Sequence, residues 1–461
     1  MNALYIICGT GVFALLAEVF SWKKWINYVS LSGLILATIL TILDWRSVSY
    51  RFHGMVYYDH VALAFTALIL LASIFWFWMS RDYFKGDEHT TDKSALVFFA
   101  IAGAMMMISF NNMAMLFLGI EVLSISLYVL AGSDKTNLFS TEASFKYFLM
   151  GSFSTGFLLF GIALVYGATG SFSITTISES TSPLISSAIT GTQSIPRFYF
   201  IGMLLMLVGV AFKISAAPFH LWTPDVYEGS PTPITTFMST VVKIAAFSVL
   251  IKIFSVCFAR YAHSLQLLEQ GLMVVTFIVA NIAAVRQKNL KRMLAFSSVS
   301  QVGYLLLAFS SDSQHSSGVL FYYLIAYSVA SLLAFAVINL IEIQKGSASI
   351  DNLKGLFKNN PLMAVAMTIA MFSLAGIPPL AGFFGKYLVF TLSLSHGFVA
   401  LTVLAVIASL IGVYYYFAPV VVMSRPSDET LSISKSDRYL LIILIAINLL
   451  VGLFPDLVRV I

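Results

Sequence analysis

Charged residues and cysteines are scarce in this chain. Of its 461 residues only 10% are charged, and its two cysteines are Cys8 and Cys257. Both cysteines lie in or near apolar runs, so the sequence offers neither a disulfide framework nor a cysteine-ligated metal or iron–sulfur cluster. The histidines show no metal-ligand spacing, and no Walker-type loop or GxGxxG motif is present. We therefore expect no metal, redox centre or nucleotide site in this chain.

A concentrated basic patch is also missing. The formal net charge is +5, but the cations are spread over loops between apolar runs. Nucleic-acid-binding surfaces gather their cations on one face. The charge pattern therefore argues against a nucleic-acid partner.

What the chain has in abundance is apolar sequence. Hydrophobic residues make up 59% of it, and the mean hydropathy is +0.91, which is too high for a soluble globular protein. A membrane-spanning helix needs about 20 apolar residues. Such runs begin near residues 2, 25, 57, 94, 112, 143, 197, 233, 266, 292, 317, 361, 397 and 437. They lack the period of two that barrel strands show, so we predict an all-α polytopic membrane protein with about fourteen transmembrane helices.

The distribution of lysine and arginine predicts the topology. No basic residue precedes the first apolar run, and Lys23 and Lys24 follow it, which predicts a first span with an outside N-terminus rather than a cleaved signal. With that orientation most cations lie in cytoplasmic loops. The outer loops and C-terminus hold only Arg46, Arg51, Arg197, Arg260 and Arg459. The positive-inside rule thus predicts that both termini and the Ser/Thr-rich loop at about 169–196 are outside.

Five further cations lie inside the apolar spans, and all of them are lysines. They are Lys146, Lys213, Lys243, Lys252 and Lys386. A lysine at mid-membrane costs about 2.5 to 3.5 kcal/mol on insertion scales. Buried lysine can exchange its proton, whereas arginine stays charged. This choice of cation suits proton transfer.

The segment FKISAAPFHLWTPDVYEGSPTP, residues 212–233, interrupts one of these spans. Lys213 and His220 would share a face of a continuous helix, but Pro218 has no N–H and leaves the Ile214 carbonyl free. A free carbonyl at membrane depth must be satisfied by protein or water. Broken helices mark ion paths, so Lys213 is the first functional candidate. The alternative is a kinked helix with a snorkelling lysine.

A glutamate is the predicted partner of Lys213. Glu121 lies in the middle of FLGIEVLSISLYVL, with Ser124 and Tyr128 on the same helix face. A buried carboxylate near a lysine stays charged, so we expect Glu121 to pair with Lys213. The alternative is a protonated glutamate that is bonded to a neighbouring helix.

Lys243 lies about ten residues into its span and is rated with Lys213. We expect Thr236 and Thr240 to accept hydrogen bonds from it. Lys146 has Glu142 one turn earlier, an i,i+4 pair, but snorkelling explains its position equally well. For Lys252, near the outer end of its span, snorkelling is the preferred interpretation.

A second break precedes the last of these lysines. In LAGIPPLAGFFGKYLVF, Pro378 and Pro379 free the carbonyls of Leu374 and Ala375. Lys386 follows about two turns later. We therefore include Lys386 among the functional candidates.

The chain also contains an internal repeat. Residues 115–134 resemble 293–312, residues 145–156 resemble 321–332, and FKISAAP resembles FSLAGIP. Five helices per copy imply inverted topology, unless the similarity is chance among apolar runs. We predict an N-terminal three-helix segment (1–93), a first five-helix repeat (94–258), a second, inverted repeat (266–424) and a C-terminal helix (437–461), with a broken helix in each repeat.

Four motifs resemble one known family. FHLWTPDVYEGSPTP, EASFKYFLMGSFS, KRMLAFSSVSQVGY and LAGIPPLAGFFGK are similar to the antiporter-like membrane subunits of bacterial respiratory complex I (NADH:quinone oxidoreductase), subunit N in particular. The resemblance implies proton transfer through Glu121, Lys213, Lys243 and Lys386. It assigns His220 and Lys146 to weaker family positions.

The resemblance also implies partners and a location. Quinone reduction elsewhere in the complex would be coupled to proton transfer here, with flavin, iron–sulfur clusters and quinone in partner subunits and none of them in this chain. The partners would be other membrane-arm subunits in a bacterial inner membrane. A subunit of a multi-subunit sodium/proton antiporter would share the fold and lysines. A structural scaffold would not need the buried charges.

Overall fold

The computed structural model describes residues 2–46, 50–84, 89–180, 197–312, 316–427 and 429–458. Apart from one small hairpin and short turns of 3-10 or π helix, its regular elements are α-helices. In chain order these are α1 (Asn2–Val19), α2 (Ile26–Leu43), α3 (His60–Met79), α4 (Arg81–Phe84), α5 (Thr90–Ser109), α6 (Met113–Ala131), α7 (Leu138–Thr169), α8 (Ile174–Ser180), α9 (Arg197–Ile214), α10 (Trp222–Gly229), α11 (Thr232–Ser239), α12 (Val241–Lys252), α13 (Ala262–Val285), α14 (Leu290–Ser311), α15 (Ser317–Lys345), α16 (Leu356–Asn359), α17 (Pro361–Ala375), α18 (Ala381–Ser395), α19 (Val399–Met423) and α20 (Lys435–Leu453).

The helices confirm the predicted fold class. Thirteen helical stretches in the described residues are long and apolar enough to cross a membrane. The shorter apolar helix α17 continues after a break into α18, which adds a fourteenth crossing. One predicted span is less regular than expected, because α11 and α12 are separated at Thr240.

Large apolar side chains cover the outside of the bundle. On α7, for example, Phe153 and Phe160 are exposed, and Leu410 and Tyr414 on α19 are exposed as well. Lysine, serine, threonine and tyrosine side chains are buried inside instead. This is the distribution that a lipid environment requires, because hydrocarbon cannot satisfy polar groups.

A hairpin covers one face of the bundle. Strands β1 (Tyr50–Phe52) and β2 (Val56–Tyr58) pair antiparallel, and Val56 forms a β-bridge with Phe110 in the turn between α5 and α6. Because the helices cross an even number of times, α1 begins and α20 ends at this same face, which we call the N-terminal face. Residues 181–196 of the predicted outer loop and Arg459 lie outside the described residues.

The opposite face carries ion pairs on its loops. Lys345, at the end of α15, pairs with Glu429 at 2.8 Å. The hydrogen bond from the Lys345 ammonium holds the pKa of the Glu429 carboxyl below its usual range. Asn359 donates to the Ser427 carbonyl at 2.8 Å. These contacts fix the segment between α19 and α20 across the opposite face.

Helices α7 and α9 cross with almost no side chain between them. A Cβ on Gly161 would lie 2.8 Å from the Gly202 carbonyl oxygen, and one on Gly202 would lie 2.9 Å from the Gly161 oxygen. Small residues permit this approach at membrane helix interfaces. The crossing holds α9, and therefore the break at its end, firmly against α7.

Candidate functional site

Helix α9 ends inside the bundle in a Schellman motif. The amide of Ser215 donates to the Phe212 carbonyl at 3.0 Å, and the amide of Ala216 donates to the Ala211 carbonyl at 2.8 Å. Ser215 has the left-handed conformation, φ 63°, that this motif requires. The motif satisfies two of the terminal carbonyls and leaves that of Ile214 without a backbone donor.

A buried lysine satisfies the Ile214 carbonyl. The Nζ of Lys243 on α12 donates to it at 2.5 Å. This confirms that the carbonyl freed at the break needs a partner. The expected partners of Lys243, Thr236 and Thr240, were wrong, because their hydroxyls bond carbonyls four residues earlier in their own helix.

Helix α17 ends in the same motif. The amides of Gly376 and Ile377 donate to the carbonyls of Ser373 and Phe372, both at 3.0 Å, and Gly376 takes the left-handed conformation, φ 86°. A Cβ on Gly376 would also lie 2.8 Å from Lys386 Cδ. Both the backbone angle and the close approach therefore require glycine here.

Both carbonyls predicted to be free at this second break have side-chain donors. Lys386 Nζ on α18 donates to the Ala375 carbonyl at 2.8 Å, and Gln301 Nε2 on α14 donates to the Leu374 carbonyl at 3.1 Å. Lys386 also donates to Ser409 Oγ at 2.9 Å. Its ammonium lies 4.7 Å from the centre of the Tyr304 ring.

The two breaks thus place an ammonium group at the end of a half-helix. The carbonyl end of a helix carries partial negative charge, which favours a cation. Lys243 and Lys386 are 2% and 5% exposed. The two sites are equivalent when Ile214 is aligned with Ala375. This alignment differs by one residue from that of FKISAAP with FSLAGIP, because the ends of the helices are equivalent and the prolines are not.

Lys213 lies beside the first break, where it bonds a hydroxyl of α6 and not the Glu121 carboxylate. It is 4% exposed, its Nζ donates to Ser124 Oγ at 2.5 Å, and it lies 6.0 Å from the centre of the Tyr128 ring. The expected ion pair between Glu121 and Lys213 is not among the ion pairs of the described residues. Lys213 bonds Ser124 instead, one turn further along α6, and the half-buried Glu121 acts on it only through space.

His220 lies within the break itself. It is 5% exposed, and its Nδ1 has no hydrogen-bond partner among the described residues. Its ring centre is 6.4 Å from that of Phe296 on α14. His220 therefore faces from the first broken helix toward the helices of the second half.

Lys146 belongs to an ionic cluster of five residues near the opposite face. It pairs with Glu142 at 2.6 Å, as predicted, and with Asp225 at 2.7 Å. Arg292 joins Asp225 at 2.7 Å and Glu228 at 2.9 Å. Arg292 thereby connects α14 to the segment after the first break.

A cavity of about 530 Å³ lies beside this cluster at the opposite face. Glu228, Lys291 and Glu342 are among the residues that line it. Lys291 is buried and pairs with Glu342 at 2.8 Å. The cavity brings a polar surface close to the first break.

Sequence reasoning missed a polar cluster beside Lys386. Gln301 Nε2 donates to the Tyr416 hydroxyl at 2.9 Å, and the Tyr323 hydroxyl donates to Gln301 Oε1. Gln301, Tyr323 and Lys386 line a cavity of about 10 Å³, which is about the size of one water. A glutamine within an apolar helix was the available signal.

Two further buried groups were missed or misjudged. Glu269 on α13 is 5% exposed and accepts from Ser310 Oγ at 3.1 Å. Lys252 was expected to snorkel, but its Nζ is buried. Within the part of the chain that the structure describes, no group of three His, Cys, Asp or Glu side chains is placed to hold a metal ion.

Comparisons with known proteins agree with this arrangement. The family model described as "NADH:quinone oxidoreductase/Mrp antiporter, TM" matches residues 110–412. A protein of Cytophaga hutchinsonii named NADH-quinone oxidoreductase subunit N is 41% identical over 99% of this chain and 98% of its own length. This chain belongs to the NADH-quinone oxidoreductase subunit N family. Its relationship to subunit N extends over nearly the whole sequence and includes both broken helices.

Solved structures show the same fold. A chain of respiratory complex I from Thermus thermophilus with bound aureothin is 33% identical, with a TM-score of 0.84 over 99% of this chain and 98% of that one. A chain of the Mrp complex from Dietzia sp. DQ12-45-1b has a TM-score of 0.87 at 20% identity, covering 99% of this chain and 95% of that one. The second likeness concerns the fold alone, so sequence favours subunit N over the antiporter.

Proposed function

We propose that this subunit N homologue is a proton-translocating membrane subunit of NADH:quinone oxidoreductase. Quinone reduction elsewhere in the complex would drive proton transfer through Glu121, Lys213, Lys243 and Lys386. The observation that carries the proposal is the pair of broken helices that each end on a buried lysine ammonium. A scaffold would not need an ammonium group at either position.

The contacts support an electrostatic mechanism. Lys213 and Lys243 both converge on the end of α9, since one is at the last turn and the other bonds its final carbonyl. Glu121 lies one turn from Ser124, which accepts from Lys213. A change of charge at Glu121 therefore alters the energy of the Lys213 ammonium, and a lysine that loses a nearby negative charge gives up its proton more readily.

The energy required is modest. Moving one charge against 100 mV needs about 2.3 kcal/mol. A change of two units in the pKa of a proton carrier corresponds to about 2.7 kcal/mol. A change of charge close to a buried lysine is sufficient to supply such a change.

Lys146 and His220 take supporting roles in this proposal. Lys146 and its ionic cluster would connect the opposite-face cavity to the first break. His220 would lie between the two halves, where it faces Phe296. The two five-helix repeats, residues 94–258 and 266–424, would each contribute one lysine-ended break.

The opposite face would be cytoplasmic and both termini outside, since the ion-paired lysines and arginines gather at that face. Flavin, iron–sulfur clusters and quinone would be held by partner subunits of the complex. The membrane would be the bacterial inner membrane.

The test begins with the tagged chain purified from gently solubilised membranes. Flavin, iron–sulfur absorbance and NADH:quinone activity should co-purify, and Lys213→Ala should lower the protons pumped per NADH oxidised. Lys358→Ala, at an exposed lysine on α16, is the matched control and should pump normally. If other membrane subunits co-purify without flavin or iron–sulfur absorbance, the antiporter becomes the better assignment.

A further inference from the structure

Lys252 differs from the other buried lysines. It is the last residue of α12, at the end of the first repeat that lies nearest the N-terminal face. Its Nζ is buried and has no hydrogen-bond partner among the described residues. A charged group in such a place costs several kcal/mol unless something compensates for it.

Aromatic rings provide part of that compensation. The ammonium lies 5.2 Å from the centre of the Phe110 ring and 5.8 Å from that of Tyr57. Aromatic faces attract cations within about 6 Å. Phe110 is in turn fixed by its β-bridge to Val56 of the hairpin. The hairpin and the turn between α5 and α6 therefore enclose the end of Lys252.

Asp59, the carboxylate whose charge acts on Lys252, already accepts a hydrogen bond from a backbone amide. Asp59 interacts with Lys252 through space, but no ion pair between them is found in the described residues. Asp59 is the N-cap of α3, and its Oδ1 accepts from the Ala62 amide at 2.7 Å. The positive charge of Lys252 is therefore balanced only at a distance.

This environment holds a cation but does not pass on a proton. Proton transfer needs a donor and an acceptor within hydrogen-bond reach. Lys213 has a hydroxyl within reach that can relay a proton, whereas aromatic faces accept no proton. A fixed positive charge in a narrow membrane passage acts instead as a barrier to protons and other cations.

We propose that Lys252 is an electrostatic barrier that closes the N-terminal-face end of the first repeat to protons and small cations. The inference rests on the proposed proton-transfer function, because only a protein with a proton path needs such a closure. A path open to both faces at once would dissipate the gradient that the complex builds. The polar cavity and ionic cluster are at the opposite face, and Lys252 lies at the other end of the same repeat.

The test measures passive proton leak in liposomes that contain the assembled complex, without NADH or quinone. A pH gradient is imposed in the presence of potassium and valinomycin, and its decay is followed with an internal pH-sensitive dye. Lys252→Met removes the charge and keeps the apolar stem, and it should raise the leak rate about tenfold, equivalent to about 1.4 kcal/mol. Lys252→Arg keeps the charge and should leak like the parent. Lys358→Met is the matched control at an exposed lysine.

An unchanged leak in an assembled Lys252→Met complex would overturn the barrier. If redox-driven pumping is lost at the same time, Lys252 is instead a step of the transfer path. Lys252→Gln is tested in parallel, because its polar end helps assembly if the methionine variant fails, and the same leak is expected. A failure of the proposed function would appear separately, as a parent complex without redox-driven pumping.

Discussion

Replacing Lys386 by methionine should separate function from stability. The variant loses the hydrogen bonds to the Ala375 carbonyl and Ser409, and a buried carbonyl left without a donor costs about 1 to 3 kcal/mol. It also removes a lysine from the membrane interior, which is worth about 2.5 to 3.5 kcal/mol on insertion scales. These effects oppose each other. We expect the free energy of unfolding to change by less than about 2 kcal/mol, while proton pumping per NADH oxidised falls.

Gln301→Leu provides the contrast. Its side chain contacts the Leu374 carbonyl and the hydroxyls of Tyr416 and Tyr323. The substitution leaves the Leu374 carbonyl and the Tyr323 hydroxyl without these partners, while the Tyr416 hydroxyl keeps Ser297, and it removes no charge from the membrane. We therefore expect a loss of about 3 kcal/mol or more. The two variants lie at one cavity, but only Lys386→Met removes a charge.

Both variants are measured in the purified complex. Thermal unfolding of this subunit gives stability, and fluorescence quenching in inverted vesicles gives pumping at matched NADH oxidation. If Lys386→Met destabilises as much as Gln301→Leu, the opposing charge effect does not exist. If Lys386→Met pumps normally, Lys386 does not carry the transfer.

Three further outcomes are expected. Gly376→Ala should lower stability by more than about 1 kcal/mol and reduce pumping, because φ is 86° and the added Cβ meets the lysine chain at 2.8 Å; thermal unfolding and vesicle pumping check both. Ser215→Gly should raise the unfolding free energy by about 1 kcal/mol, since it relieves a left-handed serine whose hydroxyl is unpaired; an unchanged midpoint would contradict this. Asp225→Asn, which weakens two partly exposed ion pairs to Lys146 and Arg292, should change stability by less than about 1 kcal/mol but slow pumping, most clearly in low salt.

The sequence predicted that a carbonyl at each break lacks a backbone donor, but it did not predict which side chain donates to that carbonyl. Proline chemistry alone identified the free carbonyls of Ile214 and Ala375. Hydropathy separately identified Lys243 and Lys386 as anomalous. That these two facts are one contact could not be read from the chain, because Lys243 lies 29 residues from Ile214 and only the packing of α12 against α9 brings them together.

Local pairs were predictable and distant ones were not. The contact of Lys146 with Glu142 follows from helical spacing and is confirmed at 2.6 Å. The expected ion pair of Glu121 with Lys213 is not formed directly, because Lys213 bonds Ser124 one turn away and Glu121 acts on it only through space. The prediction that Lys252 snorkels was wrong for a related reason. The hairpin that encloses its ammonium group has no hydropathy pattern that could be detected in the sequence.

The close crossing of α7 and α9 limits what can move. With the backbones of Gly161 and Gly202 in contact, neither helix can slide far without a collision, and interiors packed this tightly do not deform continuously. A lysine stem, by contrast, has four methylene groups and several rotamers. Charge can therefore be transported by the swing of side chains within a stationary frame. In such an architecture the helices stay in place and the side chains rotate between them. The rate of charge transfer would then depend on rotamer exchange rather than on helix motion.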